Sequence, residues 1–353
     1  MTDLILSWDV KFLTWLEINL PKGGQAFFDR DNNFDQRRKN MEFLGAKIKV
    51  VGVGGSGSNT VDRIMKAGIE NIELVALNTD VQDLEKKNAH KKIRIGKKLT
   101  SGLGAGMNPQ IGKLAAKEAA LEITAALQNS DLIFLAAGLG GGTGSGAAPV
   151  VAEIAKKTGA IVVGVVTLPF AFEGRQRKSV ALAALKELRR KVDTLIVIRN
   201  DKLSKIVPLD SSVEAAFSKC DDILKEAISS IVGIVLNPGI LNLDFADIKQ
   251  ILGQGGMAFF GSGIAEGKER ARLALEQAIS SPIVVFPLDK ARGVMFNAAS
   301  NGDFSISEVS KIGDFLKKEI PGGAKVVFGA SVDKNLKKGQ LKVTVIACGS
   351  EAS

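Results

Sequence analysis

Between residues 138 and 149 the sequence reads "GLGGGTGSGAAP", with six glycines in its first nine positions, directly after the apolar run "DLIFLAA". Glycine loses more backbone freedom on folding than any other residue, so such a cluster needs a compensating contact. Related stretches occur earlier: "GVGGSGSN" (52–59), "NTD" (78–80) and "SGLGAGMNP" (101–109). A glycine loop that opens a helix aims several backbone N–H groups and the positive end of the helix dipole at one place. Two such loops converging suit a polyphosphate. A flexible linker is excluded, because apolar strand patterns flank the loops closely and helical patterns resume at once.

The identity of the nucleotide is less direct. Gly52, Gly54 and Gly57 fit G-x-G-x-x-G after a strand, and Asp80 follows about 23 residues later. That is the dinucleotide fingerprint, and alone it suggests an NAD-dependent oxidoreductase. A dehydrogenase, however, has no need of the second, richer loop at 138–146, and the P-loop pattern G-x-x-x-x-G-K-[ST] is absent. "PFAFEGRQR" (169–177) supplies Glu173 and Arg177, and "RND" supplies Asn200. A carboxylate can accept from ribose hydroxyls, or from the N1–H and N2–H₂ of guanine together. The single histidine, His90, removes histidine metal clusters and histidine-based triads. Catalysis must then use carboxylates, backbone amides or a bound ion. In "NLDFADIKQIL" (242–252), Asp244 and Asp247 lie three apart at a helix start and share a face. Helix capping is what the sequence alone favours there; positioning an attacking water is the chemical alternative.

These groups need a frame, and strand–helix alternation supplies it. "AKIKVVGVG" (46–54) and "IELVALN" (72–78) read as strands, with a helix in "NTVDRIMKAG" (59–68) that carries Val61, Ile64 and Met65 at helical spacing. "PQIGKLAAKEAALEITAALQ" (109–128) reads as one helix with Ala115, Ala119, Ile123 and Leu127 on one face. "LIFLAAG" (132–138), "AIVVGVVTL" (160–168) and "TLIVIRN" (194–200) are near-continuous apolar strands of the doubly buried kind, separated by the helices "PVVAEIAKKTG" and "RKSVALAALKELRRK". The pattern predicts an α/β fold with a parallel, Rossmann-like sheet covered on both faces. Ligands then bind outside the carboxyl ends of the strands. A helix over 211–235, with the stripe Val213, Phe217, Cys220, Leu224, Ala227, Ile231 and Val235, would run about 37 Å and form a spine. Shorter strands and helices after "LNPG" read as a smaller α+β domain.

Composition agrees. The 353 residues suffice for two ordinary domains, and 45% apolar with 24% charged residues is globular composition. No apolar run is long enough to span a bilayer, and "MTDLILSWDV" lacks the basic start of a signal peptide, so the expected address is the cytoplasm. Two cysteines, Cys220 and Cys348, cannot build a disulfide framework. The net charge of +9 is spread in short groups without aromatic interleaving. Solvated faces are expected, and no nucleic-acid partner.

The ordered motifs carry a resemblance. "GGGTGSG" looks like the tubulin/FtsZ signature loop, and residues from about 46 to 265 resemble FtsZ, the prokaryotic tubulin-like GTPase of cell division. "IKVVGVGGSGSN", "ALNTD", "GLGAGMNP", "VGVVTLPFAFEGRQR", "VDTLIVIRND", "AFSKCDDIL" and "NLDFADIKQIL" support it in order. The resemblance implies a GTP/GDP site. Gly54, Gly55, Ser56, Gly57, Ser58, Asn59, Asp80, Ala105, Gly106, Gly141, Gly142, Thr143 and Gly144 would surround the phosphates. Glu173 would hold the ribose with Arg177 close by, Asn200 and Asp221 would read the guanine edge, and Phe217 would either stack on the base or serve the core. Mg²⁺ or a monovalent cation would sit on the phosphates without direct protein ligands. Asp244 and Asp247, with Asn242 beside them, would enter the site of the next subunit in a head-to-tail filament and orient the water and the cation. Ser145 stands where the family usually has Thr, Ser58 where Asn is common, and Arg199 where Pro usually precedes Asn200.

The resemblance divides the chain into an extension (1–45), a GTP-binding domain (46–210), a central helix (211–235) and a C-terminal α+β domain with the catalytic loop (236–353). In the extension, "LILSWDVKFLTWLEINL" (4–20) sets Ile5, Trp8, Phe12, Trp15 and Leu16 near one helical face. A packed helix is the first expectation and membrane contact the alternative, on a polar face that is not basic. FtsZ proteins usually end in a linker and a short peptide for membrane-tethering partners; "IACGSEAS" holds no such peptide, which leaves a shortened chain or another tether. Same-fold alternatives are tubulin-like GTPases of plasmid partition or cell shape.

Overall fold

Each strand of the first half sends alternate side chains to opposite faces of one sheet, and both faces are buried. In the strand Leu132–Gly138, Leu132, Phe134 and Ala136 join one apolar cluster, while Ile133, Leu135 and Ala137 join the other. Strand periodicity of two therefore reads as a continuous apolar run. The structure, a computed structural model, describes residues 45–205, 212–236, 244–253, 256–281 and 286–349.

The chain order is β1 (Ile48–Val53), α1 (Gly54–Lys66), β2 (Ile72–Asn78), α2 (Val81–Glu85), β3 (Lys91–Arg94), α3 (Pro109–Glu118), α4 (Ala120–Leu127), β4 (Leu132–Gly138), α5 (Gly142–Lys157), β5 (Ile161–Leu168), α6 (Arg175–Arg189) and β6 (Thr194–Arg199). The long helix α7 (Val213–Leu236) follows, then α8 (Phe245–Leu252), β7 (Gly256–Glu266), α9 (Arg270–Ile279), β8 (Gly293–Ser300), α10 (Ile306–Glu319), β9 (Lys325–Val332) and β10 (Gln340–Gly349). Among the described residues the ten strands form one sheet in the order β3-β2-β1-β4-β5-β6-β7-β10-β8-β9. β1 to β7 pair in parallel, β10 runs antiparallel to both β7 and β8, and β9 is parallel to β8. α1 and α7 to α10 cover one face, and α3 to α6 cover the other.

The structure changes three expectations. First, 109–128 is not one helix: at Ala119 (φ −93°, ψ 13°) the chain turns, so that α3 packs on α5 while α4 also covers β3. Second, the expected loop at 52–59 is already helix from Gly54, despite four glycines between positions 52 and 57. Third, the stripe on α7 is core only from Cys220 onward; Val213 and Phe217 are exposed.

Glycine in α3 and α5 sets how closely these helices approach. A Cβ at Gly146 would lie 1.9 Å from the Pro109 carbonyl oxygen, and one at Gly112 2.3 Å from that of Gly142. By contrast Gly313, within α10, has only the Phe296 ring edge at 3.9 Å. Alanine is favoured over glycine by about 1 kcal/mol in a helix interior, whereas overpacking costs about 1–3 kcal/mol. Gly313→Ala should therefore stabilise the fold by up to about 1 kcal/mol. Gly146→Ala should destabilise it by about 1–3 kcal/mol. Denaturant unfolding of the two variants checks the contrast, and equal shifts would contradict the packing.

Candidate functional site

The carboxyl-end edge of β1 and β4 is where the sheet order reverses, the usual ligand crevice of an open α/β sheet. There the chain leaves β1 at Val53 and enters α1 at Gly54, whose φ of +72° suits glycine. A Cβ on Gly54 would lie 3.0 Å from the Gly144 nitrogen; one on Gly144 would fall 2.3 Å from the Gly138 carbonyl oxygen. On Gly142 it would meet the Ala105 Cβ and the Asn108 nitrogen, each at 2.8 Å. The glycines thus press two helix starts and the 105–108 loop against one another. Hydroxyls lock the arrangement. Thr79 and Thr143 share a hydrogen bond of 2.6 Å between their Oγ1 atoms, and Ser145 Oγ accepts from the Gly140 N–H at 2.8 Å.

Among the described residues, neither α1 nor α5 has a side-chain cap or an acidic residue in its first turn. Asp80, Asn108, Asp244 and Ser305, by comparison, cap α2, α3, α8 and α10. Bare N–H donors at two touching helix starts, with both dipoles adding, make an anion site suited to phosphate oxygens.

The expected site residues divide by what they present there. Gly55, Ser56, Gly106, Gly141 and Thr143 are exposed or half-buried at this edge. Ala105 is buried beneath it. Gly57 and Ser58 lie deeper: a Cβ on Gly57 would strike the Ala136 carbonyl oxygen at 2.4 Å and the Ser58 side chain is wholly buried, so a contact from either to a ligand would run through the backbone. Asp80 also has a structural task, since its carboxylate accepts from the Asp83 N–H at 3.0 Å and caps α2. Asn242 lies outside the described residues, as does the segment 4–20.

On the ribose and base side, Glu173 accepts from the Phe170 N–H at 2.8 Å and from Arg177 at 2.6 Å. Asn200 is 4% exposed, and its Oδ1 has no partner among the described residues. A buried amide oxygen left unpaired costs about 1–3 kcal/mol, which a ligand donor would recover. Asp221 accepts from Ser56 Oγ at 2.9 Å and from Asn59 Nδ2 at 3.0 Å, tying α7 to α1. Burial pushes the Asp221 carboxyl above its ordinary 3.8, against the lowering by Ser56 and Asn59. Phe217 forms an aromatic trio with Phe170 and Phe172, at 5.3 and 6.4 Å between ring centroids. Sequence reasoning missed Phe170, Phe172 and Thr79. The two phenylalanines lie two apart just before Glu173, a signal that could have been used.

Asp244 and Asp247 are far from this edge. The carbonyl of Leu252, at the end of α8, accepts from Thr194 at the amino end of β6. Asp247 pairs at 2.6 Å with Lys325, the first residue of β9. The acid pair therefore lies at the amino-end edge of the sheet, about a strand length away: eight residues of β5 span about 26 Å. A cavity of about 750 Å³ between α7 and β8–β10 has a mixed lining that includes Lys225, Glu226, Asn297 and Lys342, without a glycine-rich helix start.

These features define an α/β protein whose carboxyl-end crevice, with two bare helix starts, is suited to an anionic, phosphate-bearing ligand. Residues 47–208 match the GTPase domain of the Tubulin/FtsZ family, and residues 256–351 match the C-terminal domain of the FtsZ family. The cell division protein FtsZ 1 of Thermococcus kodakarensis is 44% identical over 315 residues, covering 89% of this chain and 84% of that protein. FtsZ 1 of Methanocaldococcus jannaschii is 44% identical over 307 residues, covering 87% and 84%. The solved empty FtsZ dimer of M. jannaschii superposes with a TM-score of 0.84 at 42% identity, covering 91% of this chain and 93% of that one. A GTPγS-bound protofilament of CetZ2 from Haloferax volcanii gives 0.73 at 25% identity, covering 87% and 94%. The chain belongs to the FtsZ family, and it is a GTPase that binds GTP and GDP.

Asp221 gives a test that separates a ligand role from a structural one. A carboxyl whose folded pKa is raised loses stability as pH climbs from its ordinary 3.8 through the raised value, and the penalty is complete above it. Asp221→Asn removes that penalty; its one oxygen can still accept from Asn59, and its NH2 can donate to the Ser56 hydroxyl, which also accepts. The ligand-free variant should unfold at an equal or higher temperature at pH 7 and bind GTP about 10- to 100-fold more weakly. Thermal melts and nucleotide titration check it; a drop in stability with unchanged affinity would mark the residue as structural.

Proposed function

We propose that this protein is a division-type GTPase that polymerises head to tail, with each subunit completing the catalytic site of its neighbour. The observation that carries the reading is the separation between the two edges. The bare helix starts occupy the carboxyl-end edge of the sheet, and the acid pair of α8 occupies the amino-end edge. One subunit cannot bring them together; two copies stacked along the strand direction can. Exposed apolar side chains around the glycine edge, Leu103 at 85%, Phe172 at 66% and Val213 at 61%, support a face that another copy covers.

In this reading 46–210 holds the nucleotide, 211–235 is the spine and 236–353 brings the catalytic loop. The amides of α1 and α5 hold the phosphates, Glu173 and Arg177 the ribose, and Asn200 with Asp221 the guanine edge. Phe217 and its aromatic neighbours flank the base. A cation, Mg²⁺ or monovalent, would offset phosphate charge. Asp244 and Asp247, with Asn242, orient the attacking water from the adjacent subunit. Loss of the γ-phosphate then weakens the contact. The relatives named for cell division support action in division, and this reading puts that action in the cytoplasm. Among the described residues no helix is long and apolar enough to cross a membrane, and a tethering partner or the segment 4–20 would provide membrane attachment. A tubulin-like role in cell shape is the lesser reading, because the CetZ likeness is far lower in identity than the FtsZ likeness.

Asp244→Ala and Asp247→Ala should keep GTP affinity and lower turnover by about 10²- to 10⁴-fold, the usual worth of a positioned acid–base group. Wild-type turnover per subunit should rise with protein concentration, and GTP should protect against thermal unfolding where NAD does not. Phosphate release alongside sedimentation measures this. Full-rate hydrolysis by protein diluted below assembly would sink the shared-site reading.

A further inference from the structure

Asp247 does not stand alone at the amino-end edge. Lys325 donates to its Oδ1 at 2.6 Å and also donates to Gln250 Oε1, three residues further along α8. Lys325 is fixed in turn by the sheet, since its N–H bonds the Arg292 carbonyl at 2.8 Å and its residue pairs with Gly293 of β8. One ammonium therefore bridges the exposed face of α8 to the start of an edge strand. Asp244 has a separate task, capping α8 through the Ala246 N–H at 3.0 Å. Among the described residues the hydrogen bond from Lys325 engages Asp247 through Oδ1, and the side chain is 42% exposed, which leaves the carboxylate open to something outside this subunit.

Two carboxylates approaching a triphosphate repel it, and an exposed aspartate rotates among several directions. Lys325 corrects both problems. It offsets the charge of Asp247, and by holding Oδ1 and Gln250 together it restricts rotation of the carboxylate. We propose that Lys325 is a positioning residue for GTP hydrolysis: it orients and neutralises Asp247, so that the carboxylate can enter the neighbouring subunit's phosphate site and accept from the attacking water. This rests on the shared-site reading. The side chains of Lys325 and Asp247 are 35% and 42% exposed. Half-exposed ion pairs add little to stability, so replacing Lys325 disturbs the pair without unfolding the chain.

The test uses the full chain above its assembly concentration, with phosphate release expressed per sedimented subunit and GTP affinity measured on unassembled protein. Lys325→Met keeps the length and removes the charge; Lys325→Arg keeps the charge. Lys325→Met should lower kcat by about 10- to 100-fold, as a misplaced reacting group does, with GTP affinity and melting temperature little changed. Lys325→Arg should restore most of the loss. Assembly lost in Lys325→Met and restored in Lys325→Arg supports the same role, through uncompensated repulsion. A wild-type kcat in Lys325→Met, with Asp247→Ala inactive, overturns the proposal and leaves the shared-site reading standing. So does assembly or turnover lost equally in Lys325→Met and Lys325→Arg. A fully active Asp247→Ala removes the shared-site reading itself, and this inference with it.

Discussion

Two helices that begin without side chains, pressed against each other beside β1 and β4, are the constraint on which the rest of this structure depends. Gly54 approaches Gly144 so closely that a Cβ would lie 3.0 Å from a backbone nitrogen. Such contact gathers unsatisfied N–H donors of two helix starts and their dipoles, an arrangement that is unfavourable until an anion arrives. The nucleotide is in that sense part of the fold as well as its substrate. Any ligand that binds only the folded form stabilises it by RT ln(1 + [L]/Kd), so bound nucleotide and a well-formed edge reinforce each other.

The same edge carries several carboxylates, which would repel phosphates if left bare. Each is engaged by donors of its own: Glu173 by Arg177 and the Phe170 N–H, Asp80 by the Asp83 N–H, Asp83 by Lys87 and Asn78, Asp221 by Ser56 and Asn59. In the proposed site, backbone amides are thereby left to phosphate, and the spare lone pairs of the acids suit neutral donors on sugar and base. Donor type, more than net charge, separates the two ends of the ligand.

The frame was readable because doubly buried strands leave little freedom: in "LIFLAAG" every residue but the last is buried, on one face or the other. The glycine loops were readable for the opposite reason, since nothing but a close contact justifies them. What escaped was tertiary. The break at Ala119 has no glycine or proline to announce it; it arises because α3 follows α5 while α4 turns to β3. The early onset of α1 was hidden by glycines whose low helix propensity is overruled by packing against β4. Phe217 continues a helical stripe yet is 38% exposed, packed on the rings of Phe170 and Phe172 instead of in the core. Lys325 pairs with Asp247 across 78 residues, and no local pattern signals such a contact.

A sheet of parallel strands is chemically different at its two ends, and this asymmetry bears on assembly. Every βα connection of the first half delivers a helix start to the carboxyl-end edge, so that edge collects donors. The opposite edge receives the elements that come after the long helix, namely α8 with its acids and the first residue of β9. Joining unlike edges is heterologous, and without a closing rotation it extends as a filament. The length of α7, 24 residues or about 36 Å, then has a mechanical meaning. Asp221 lies near the amino end of that helix, against α1, and the acid pair lies beyond its carboxyl end. In the proposed filament that helix therefore reaches from the carboxylate beside α1 toward the acids of the opposite edge.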